Sequence, residues 1–219
     1  MLKKLSAEFM GTFMLVFLGT GAVVLAKGDA LTIALGFGLA ITVSAYAFGG
    51  ISGGHFNPAV TTAMIINKRI EVGEAIGYII AQFAGATVAS AIAKLFIGAA
   101  GLPTTSLAQT DFPKLSAAAA FGVEAVVTFL FLMVILSVTS KKYGNGQFAG
   151  LAIGVTLALL ILFALNLTGG SLNPARSFGP ALLAGGSALS HLWVYILAPE
   201  VGAIVAAFAA KYLLGSEEN

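Results

Sequence analysis

Six long apolar runs, separated by short polar loops, dominate the pattern of hydrophobic and polar positions. They cover residues 5–25, 31–48, 75–98, 117–139, 148–166 and 192–214, and each is close to the ~20 residues with which an α-helix crosses a bilayer. Two shorter apolar runs, residues 59–66 and 177–184, have about half that length. The pattern predicts an all-α membrane protein with six transmembrane helices and two re-entrant half-helices, which enter the membrane without crossing it.

The two short runs follow two copies of one motif. Residues 52–60 read SGGHFNPAV, and residues 168–178 read TGGSLNPARSF. In each copy two glycines let the backbone turn sharply, Asn takes a favoured helix-capping position, and Pro suits the first residue of a helix. Both copies are therefore predicted to open a half-helix. The matching residues are Asn57, Pro58 and Ala59 in the first copy and Asn173, Pro174 and Ala175 in the second.

The motif pair belongs to a longer internal repeat. The two copies of the motif are 116 residues apart, and at the same separation Glu8 matches Glu124 and Gly38 matches Gly154. The second half then contains one additional residue, so that Tyr78 matches Tyr195 and Gly85 matches Gly202 at a separation of 117 residues. We predict a single transmembrane domain, residues 1–219, made of two repeats at about 1–105 and 116–219. Three spans per repeat force the second repeat to lie upside down, so the half-helices enter from opposite faces and meet near the membrane midplane.

Composition agrees with a membrane location. The chain is 58% hydrophobic with a mean hydropathy of +0.99, and its 9% of charged residues falls well below the ~25% of a soluble domain. The formal charge of +2 is small and dispersed, which argues against a nucleic-acid partner. The chain has no cysteine, which excludes thiolate metal sites. We therefore predict neither a metal nor a cofactor.

The distribution of Lys and Arg predicts the orientation. If both termini are cytoplasmic, seven of these residues fall on the inner face and three on the outer face, which is the bias expected for cytoplasmic loops. The inner group is Lys3, Lys4, Lys68, Arg69, Lys141, Lys142 and Lys211, and the outer group is Lys27, Lys94 and Lys114. A short acidic tail with Glu217 and Glu218 follows the sixth span.

The meeting point of the half-helices has a definite chemistry. Each helix N-terminus carries roughly half a positive charge, which repels a cation or hydronium that has already lost its hydration. Asn57 and Asn173 offer N–H donors there, and Arg176 adds fixed positive charge. Backbone carbonyls are expected to line a path at Gly53, Gly54, His55, Phe56, Gly169, Ser171 and Leu172. These are the parts of a pore for small uncharged solutes.

At these residues the chain resembles the aquaporin and glycerol-facilitator family over nearly its whole length. The resemblance rests on two NPA boxes, an Arg after the second box and six spans. It implies a bundle of six tilted helices and two half-helices, with one pore per subunit. It also implies a homotetramer in membrane lipid through which water and small neutral solutes pass passively, while protons and ions are excluded.

The family's narrow filter would fall on Phe37, Ile161, Gly170 and Arg176. Water-specific members typically have His where Ile161 stands and a small polar residue or Cys near Gly170, so a wider and less polar filter is expected here, as in archaeal-type aquaporins. Glycerol facilitators, however, usually have Asp where this chain has Ser177. We predict a water channel and leave open the passage of glycerol or similar solutes. The alternative is a dedicated glycerol-type facilitator.

Several titratable residues allow a second interpretation. Acidic residues inside spans often belong to proton relays, but Glu8 and Glu124 occupy matching places in the repeats. In the family, such acids accept hydrogen bonds from the re-entrant backbone, so a bracing role is expected. His55 is either a pH gate or a brace for the first loop, and the family favours the brace. His191 is interpreted as a loop or interface residue.

Glu200 is unexpected, because it lies inside the sixth span beside Pro199. Since a carboxyl facing lipid is costly, we hypothesise that Glu200 forms a hydrogen bond at the tetramer interface.

Two rival classes remain. A proton-coupled secondary transporter would share inverted repeats and broken helices, and an intramembrane hydrolase would need a pair such as Ser52 with His55 or Ser171 with His191. The first pair recurs as Thr168 and Ser171, which loses any dyad, so no enzyme is predicted. Compact loops and short tails indicate a bacterial or archaeal plasma membrane.

Overall fold

The structure, a computed structural model, describes residues 1–214, which form nine α-helices and no strand. The helices are α1 (Leu2–Val24), α2 (Ala30–Ser52), α3 (Pro58–Ile66), α4 (Val72–Ala99), α5 (Ala117–Val138), α6 (Gly146–Thr168), α7 (Pro174–Ala184), α8 (Gly186–Ser190) and α9 (Leu192–Leu214). Six of them, α1, α2, α4, α5, α6 and α9, are long and apolar enough to cross a membrane. The predicted all-α membrane architecture is confirmed. The acidic tail with Glu217 and Glu218 lies outside the described residues.

The predicted end of α2 needs a correction. Helix α2 continues to Ser52, so the irregular backbone begins at Gly53 instead of at Gly49. The glycines at 49 and 50 stay helical because a helix satisfies its own backbone hydrogen bonds, which an apolar environment demands. Between the second half-helix and the last span, the structure adds the short helix α8.

Glycines in the left-handed region end the helices that lead into the half-helices. Gly53 has φ of 90° and its N–H donates to the carbonyl of Gly49 at 2.8 Å, while Gly169 has φ of 81° and donates to Leu165 at 3.1 Å. A residue with a side chain adopts this conformation only at a cost. The chain therefore stops each long helix at a fixed point and turns towards the motif.

The half-helices α3 and α7 begin as the motif predicts. The side chain of Asn57 accepts a hydrogen bond from the N–H of Ala59 at 2.9 Å. The side chain of Asn173 accepts one from Ala175 at 3.0 Å and one from Arg176 at 3.2 Å. Each cap is followed by a proline at the first helical position. The prediction that both copies open a helix is confirmed.

Close helix contacts depend on small residues. Helices α1 and α4 pack together, as do α5 and α9, and α2 packs on α6. At the α2–α6 contact Gly38 and Gly154 face each other, since a Cβ on either would meet the carbonyl oxygen of the other. The hydroxyl of Thr42 donates to the carbonyl of Gly38 in its own helix at 2.9 Å and also lies 3.3 Å from the carbonyl of Gly150 across the contact. Small residues thus bring backbones together, as is usual in membranes.

Candidate functional site

The N-termini of the two half-helices meet through a reciprocal pair of hydrogen bonds. The side-chain amide of Asn57 donates to the carbonyl of Leu172 at 2.8 Å, and that of Asn173 donates to the carbonyl of Phe56 at 2.9 Å. Both asparagines are buried. Because each side-chain oxygen caps its own helix, each amide keeps one further hydrogen for a ligand. The two motifs therefore place two oriented donors at one point.

The backbone on either side of this point is strained. Phe56 and Leu172 both have positive φ, 50° and 56° respectively. Bulky residues adopt the left-handed conformation rarely, and it persists only where surrounding contacts enforce it. Each strained residue accepts an asparagine amide at its carbonyl and donates its N–H to a buried carboxylate. The re-entrant segments are therefore held at both backbone groups.

The buried carboxylates are Glu8 and Glu124, both fully inaccessible to solvent. Glu8 accepts the N–H of His55 at 3.0 Å, the N–H of Phe56 at 2.7 Å and the hydroxyl of Ser52 at 2.6 Å. In the second half, Glu124 accepts the corresponding groups from Ser171 at 3.0 Å, Leu172 at 2.9 Å and Thr168 at 2.6 Å. Each carboxylate thus accepts two backbone N–H groups and one hydroxyl from the motif of its own half.

The two halves differ beside the carboxylates. The amide of Gln82 donates to Glu8 at 2.7 Å and to the hydroxyl of Thr61 at 3.0 Å, whereas the position matching Gln82 in the repeat is Pro199. In the second half, Ser177 instead contacts the hydroxyls of Ser171 and Thr110 at 2.6 and 2.7 Å. Gln82 was not predicted as part of the site, although an amide in an apolar span is a usable signal.

Two tyrosines fix the ends of the helices that precede the motifs. The hydroxyl of Tyr78 donates to the carbonyl of Ser52, and that of Tyr195 donates to the carbonyl of Thr168, each at 2.7 Å. Both tyrosines are buried. The last carbonyls of a helix lack an intrahelical hydrogen-bond partner. Each tyrosine hydroxyl therefore supplies a donor to a carbonyl that would otherwise be buried without a hydrogen bond. The repeat pattern paired the two tyrosines but did not indicate this role.

The structure brings the predicted filter residues together. The guanidinium of Arg176 donates to the carbonyl of Ala108 at 2.8 Å and lies 4.6 Å from the centre of the Phe37 ring. Phe37, Ile161 and Arg176 line one cavity, and Gly170 lies against Ile161, where an added Cβ would be 3.5 Å from the isoleucine side chain. The contribution of Ala108, which lies in the linker between the two halves, was not predicted.

That cavity has one apolar wall and one polar wall. Residues of α1, α2, α3, α5 and α6 make the apolar wall, among them Leu15, Ile41, Val60, Ile135 and Leu157. The polar wall comes from the re-entrant segments and contains Gly53, Gly54, His55, Asn57, Ser171, Leu172, Asn173 and Arg176. Within residues 1–214, the predicted residues Phe56, Gly169 and Gly170 are not part of the lining. The cavity thus offers a narrow strip of polar groups to a solute.

Neither Ser–His pair considered above is formed in the described chain. The ring of His55 contacts the hydroxyl of Thr61 at 3.0 Å and packs edge-on against Tyr78, while Ser52 donates to Glu8. His191 pairs with Asp111 at 2.7 Å. Glu200 is half-buried on α9, and its carboxyl group lies near the side chain of Thr62 of α3. The serines and histidines therefore brace loops.

The fold and the site together define a helical membrane channel in which two half-helices meet end to end. Comparison with known proteins then gives the family. Residues 1–210 match the family model described as Major intrinsic protein. The chain therefore belongs to the major intrinsic protein family, and the resemblance stated from its sequence is confirmed.

Individual relatives agree. The chain is 73% identical over 217 residues to glycerol uptake facilitator protein-like 6 of Lactiplantibacillus plantarum, covering 99% of this chain and all of that protein. It is 42% identical over 229 residues to aquaporin Z of Brucella melitensis, with 99% and 100% coverage. Among solved structures, the aquaglyceroporin from Plasmodium falciparum matches with a TM-score of 0.88 at 26% identity, covering 97% of this chain and 96% of that one.

Proposed function

We propose that the protein is a passive membrane channel for water and glycerol. One observation carries the proposal: the amides of Asn57 and Asn173 meet at the N-termini of two half-helices, in a cavity whose remaining lining is mostly apolar. A solute with hydroxyl groups can accept hydrogen bonds on the polar side, while its carbon atoms contact the apolar side. Such a cavity binds a neutral solute weakly enough to release it, which conduction requires.

The same geometry opposes ions. Two helix N-termini direct their positive ends at one point, and the buried guanidinium of Arg176 adds a full positive charge nearby. A proton-coupled transporter would need a titratable group free to exchange protons along the path. Glu8 and Glu124 instead have every hydrogen bond directed at the re-entrant segments or at Gln82. A channel therefore fits the site better than a proton-coupled transporter.

Stopped-flow light scattering on proteoliposomes tests the proposal. Vesicles challenged with sucrose should shrink faster than protein-free vesicles, and vesicles challenged with glycerol should shrink and then reswell rapidly. A pH indicator trapped inside should report no proton entry under an imposed gradient. Shrinkage no faster than in protein-free vesicles would contradict the proposal, and so would saturable uptake driven by the pH gradient.

Replacing Ile161 with histidine is expected to separate the two solutes. Ile161 is an apolar member of the filter and lines the same cavity as Arg176, and an imidazole there would add a polar group to this lining. Glycerol would then lose contact for its carbon atoms, so its permeability should fall about tenfold, equivalent to about 1.4 kcal/mol, while water permeability changes little. The apolar swap Ile161→Leu is the matched control, since similar volume is tolerated. An equal effect of both substitutions would contradict this role.

A dedicated glycerol facilitator is the second candidate. It is favoured by the relative with 73% identity, which is named a glycerol uptake facilitator-like protein. Ser177, at the position where Asp is expected in glycerol facilitators, argues against it. The same stopped-flow experiment decides between the candidates: a dedicated facilitator would show rapid glycerol reswelling with little acceleration of the initial water-driven shrinkage.

We infer that the channel is a homotetramer in the plasma membrane of a prokaryote, with both termini in the cytoplasm. The excess of Lys and Arg on one face supports the orientation. Large apolar residues exposed along the spans, such as Leu39, Leu159 and Phe163, provide faces for lipid and neighbouring subunits. A protease added outside intact cells should leave tags at both termini uncut. Cleavage of either tag would contradict the orientation.

Glu200 is expected to stabilise the tetramer. The single hydroxyl of Thr62, which lies near the Glu200 carboxyl group, can donate to only one of the two carboxyl oxygens, and we expect the other to contact a neighbouring subunit. Glu200→Leu should then lower the fraction of tetramer in detergent, while Glu200→Gln, which keeps an oxygen acceptor, should lower it less. Size-exclusion chromatography with light scattering measures the fraction. If both variants remain fully tetrameric, Glu200 has no role in assembly.

A further inference from the structure

The linker between α4 and α5 is packed over the filter. Leu107 and Phe112 are buried, and the hydroxyl of Thr110 contacts Ser177 of α7 at 2.7 Å. Between them, Ala108 has a φ of 56°, a conformation that directs its carbonyl towards Arg176. The linker therefore does more than join the two halves, because it supplies an acceptor to the filter.

The guanidinium of Arg176 depends on this acceptor. Its Nη1 donates to the carbonyl of Ala108 at 2.8 Å, while its Nε is buried and lacks a hydrogen-bond partner. The guanidinium also lies over the ring of Phe37, and the negative charge of Glu124 attracts it from the re-entrant side. An unsatisfied buried donor favours any movement that finds it a partner. The position of Arg176 is therefore set largely by where the linker holds Ala108.

The linker is in turn anchored through Asp111, three residues beyond Ala108. The carboxylate of Asp111 accepts hydrogen bonds from the backbone N–H of Phe112 at 2.8 Å and from the hydroxyl of Ser187, and it pairs with Nδ1 of His191 at 2.7 Å. The His191 ring also stacks on Phe112, with centres 4.2 Å apart. Ser187 and His191 belong to α8 and the turn before α9. The anchor thus joins the linker to the corner before the last span.

Asp111 is charged in this anchor. Burial raises the pKa of Asp111, but the hydrogen bonds from Ser187, His191 and Phe112 outweigh burial and hold the pKa below its ordinary value. Charge-assisted hydrogen bonds are the stronger class. The anchor is therefore formed at neutral pH and keeps its negative partner in moderately acidic solution.

We propose that Asp111 and His191 are positioning residues for the filter: by anchoring the linker, they hold the Ala108 carbonyl against Arg176 and so set the size selectivity of the pore. The inference rests on the proposed channel function. Without the anchor the linker would loosen, and the guanidinium would turn into the cavity to find other acceptors. A narrower opening hinders glycerol more than water. Loss of the anchor should therefore lower the ratio of glycerol to water permeability.

The test measures both permeabilities by stopped flow for the wild type, Asp111→Leu, His191→Leu and His191→Asn. Both leucine variants should lower the glycerol-to-water ratio about threefold to tenfold, an effect of the size usual for residues coupled through a network. His191→Asn should retain much of the wild-type glycerol-to-water ratio, because an asparagine amide can donate from nearly the position of Nδ1. Hydrogen exchange of residues 101–116, followed by mass spectrometry, should rise in the leucine variants.

Asp29→Asn is the matched control, because Asp29 is an aspartate in another interhelical loop and caps α2 by accepting from Thr32 at 2.8 Å. Asparagine caps equally well, so the ratio should not change. A parallel fall of both permeabilities in the leucine variants, or an unchanged ratio despite faster linker exchange, would overturn the inference while leaving the channel function intact. A wild type that conducts neither solute would refute the proposed function itself.

Discussion

Gly202→Val should strongly reduce the fraction of protein molecules that are correctly folded. Gly202 lies where α9 crosses α5, and a Cβ there would meet the carbonyl oxygen of Ala125 and come within 3.0 Å of the Phe129 nitrogen. These are backbone atoms of a helix, which cannot rotate away as a side chain can. The two helices would have to separate, and overpacking of this kind costs typically ~1–3 kcal/mol or more. The fraction of protein that stays monodisperse after heating in detergent measures the loss.

Two further substitutions make this prediction sharp. Gly122→Val is the matched control, because Gly122 lies on α5 with no atom within 4 Å of an added Cβ, so only helix propensity changes. Gly85→Val, at the matching position of the first half, should be as damaging as Gly202→Val, since a Cβ there would meet the carbonyl oxygen of Phe9. If Gly202→Val tolerates heating as well as Gly122→Val does, close packing at this crossing is not essential.

Much of the architecture could be predicted because it follows from local rules. A span is recognisable from its length and hydropathy, and the caps at Asn57 and Asn173 follow from the residues that cap helices. The extent of α2 was predicted wrongly because Gly49 and Gly50 resemble a helix terminator. In an apolar environment the cost of leaving backbone groups unpaired outweighs the low helix propensity of glycine, so the helix continues to Ser52.

The site was predictable only where the motif itself carries it. The internal repeat matched Gly85 with Gly202 and Tyr78 with Tyr195, but it could not show that the glycines touch a neighbouring helix or that the tyrosines cap one. A sequence repeat shows which positions correspond but not which residues touch, so contacts between distant segments were not predicted. The carbonyl of Ala108 depends on backbone conformation, and no side-chain pattern in the linker predicts that it meets Arg176.

Glu124→Leu should abolish water permeation with little change in the transmembrane helices. Glu124 is the acceptor for the N–H groups of Ser171 and Leu172 and for the hydroxyl of Thr168. Leucine would leave these donors buried and unpaired, at ~1–3 kcal/mol for each. Leu172 already has a strained backbone, so the re-entrant segment that contains it should move. The Leu172 carbonyl would then no longer accept the hydrogen bond from the Asn57 amide. Water permeability in proteoliposomes should then fall more than about tenfold.

Two neighbouring substitutions separate this effect from a general loss of polarity. Thr128 lies one turn along α5 and is equally buried, and its hydroxyl has no hydrogen-bond partner in the described chain. Thr128→Val should therefore leave water permeability unchanged and stability unchanged or slightly higher. Glu124→Gln keeps the volume but presents an N–H₂ group to one of the three donors. It should therefore lie between wild type and Glu124→Leu. Full water permeability in Glu124→Leu would show that Asn173 and the helix cap hold the segment without the carboxylate, and the symmetric acids would then serve another purpose.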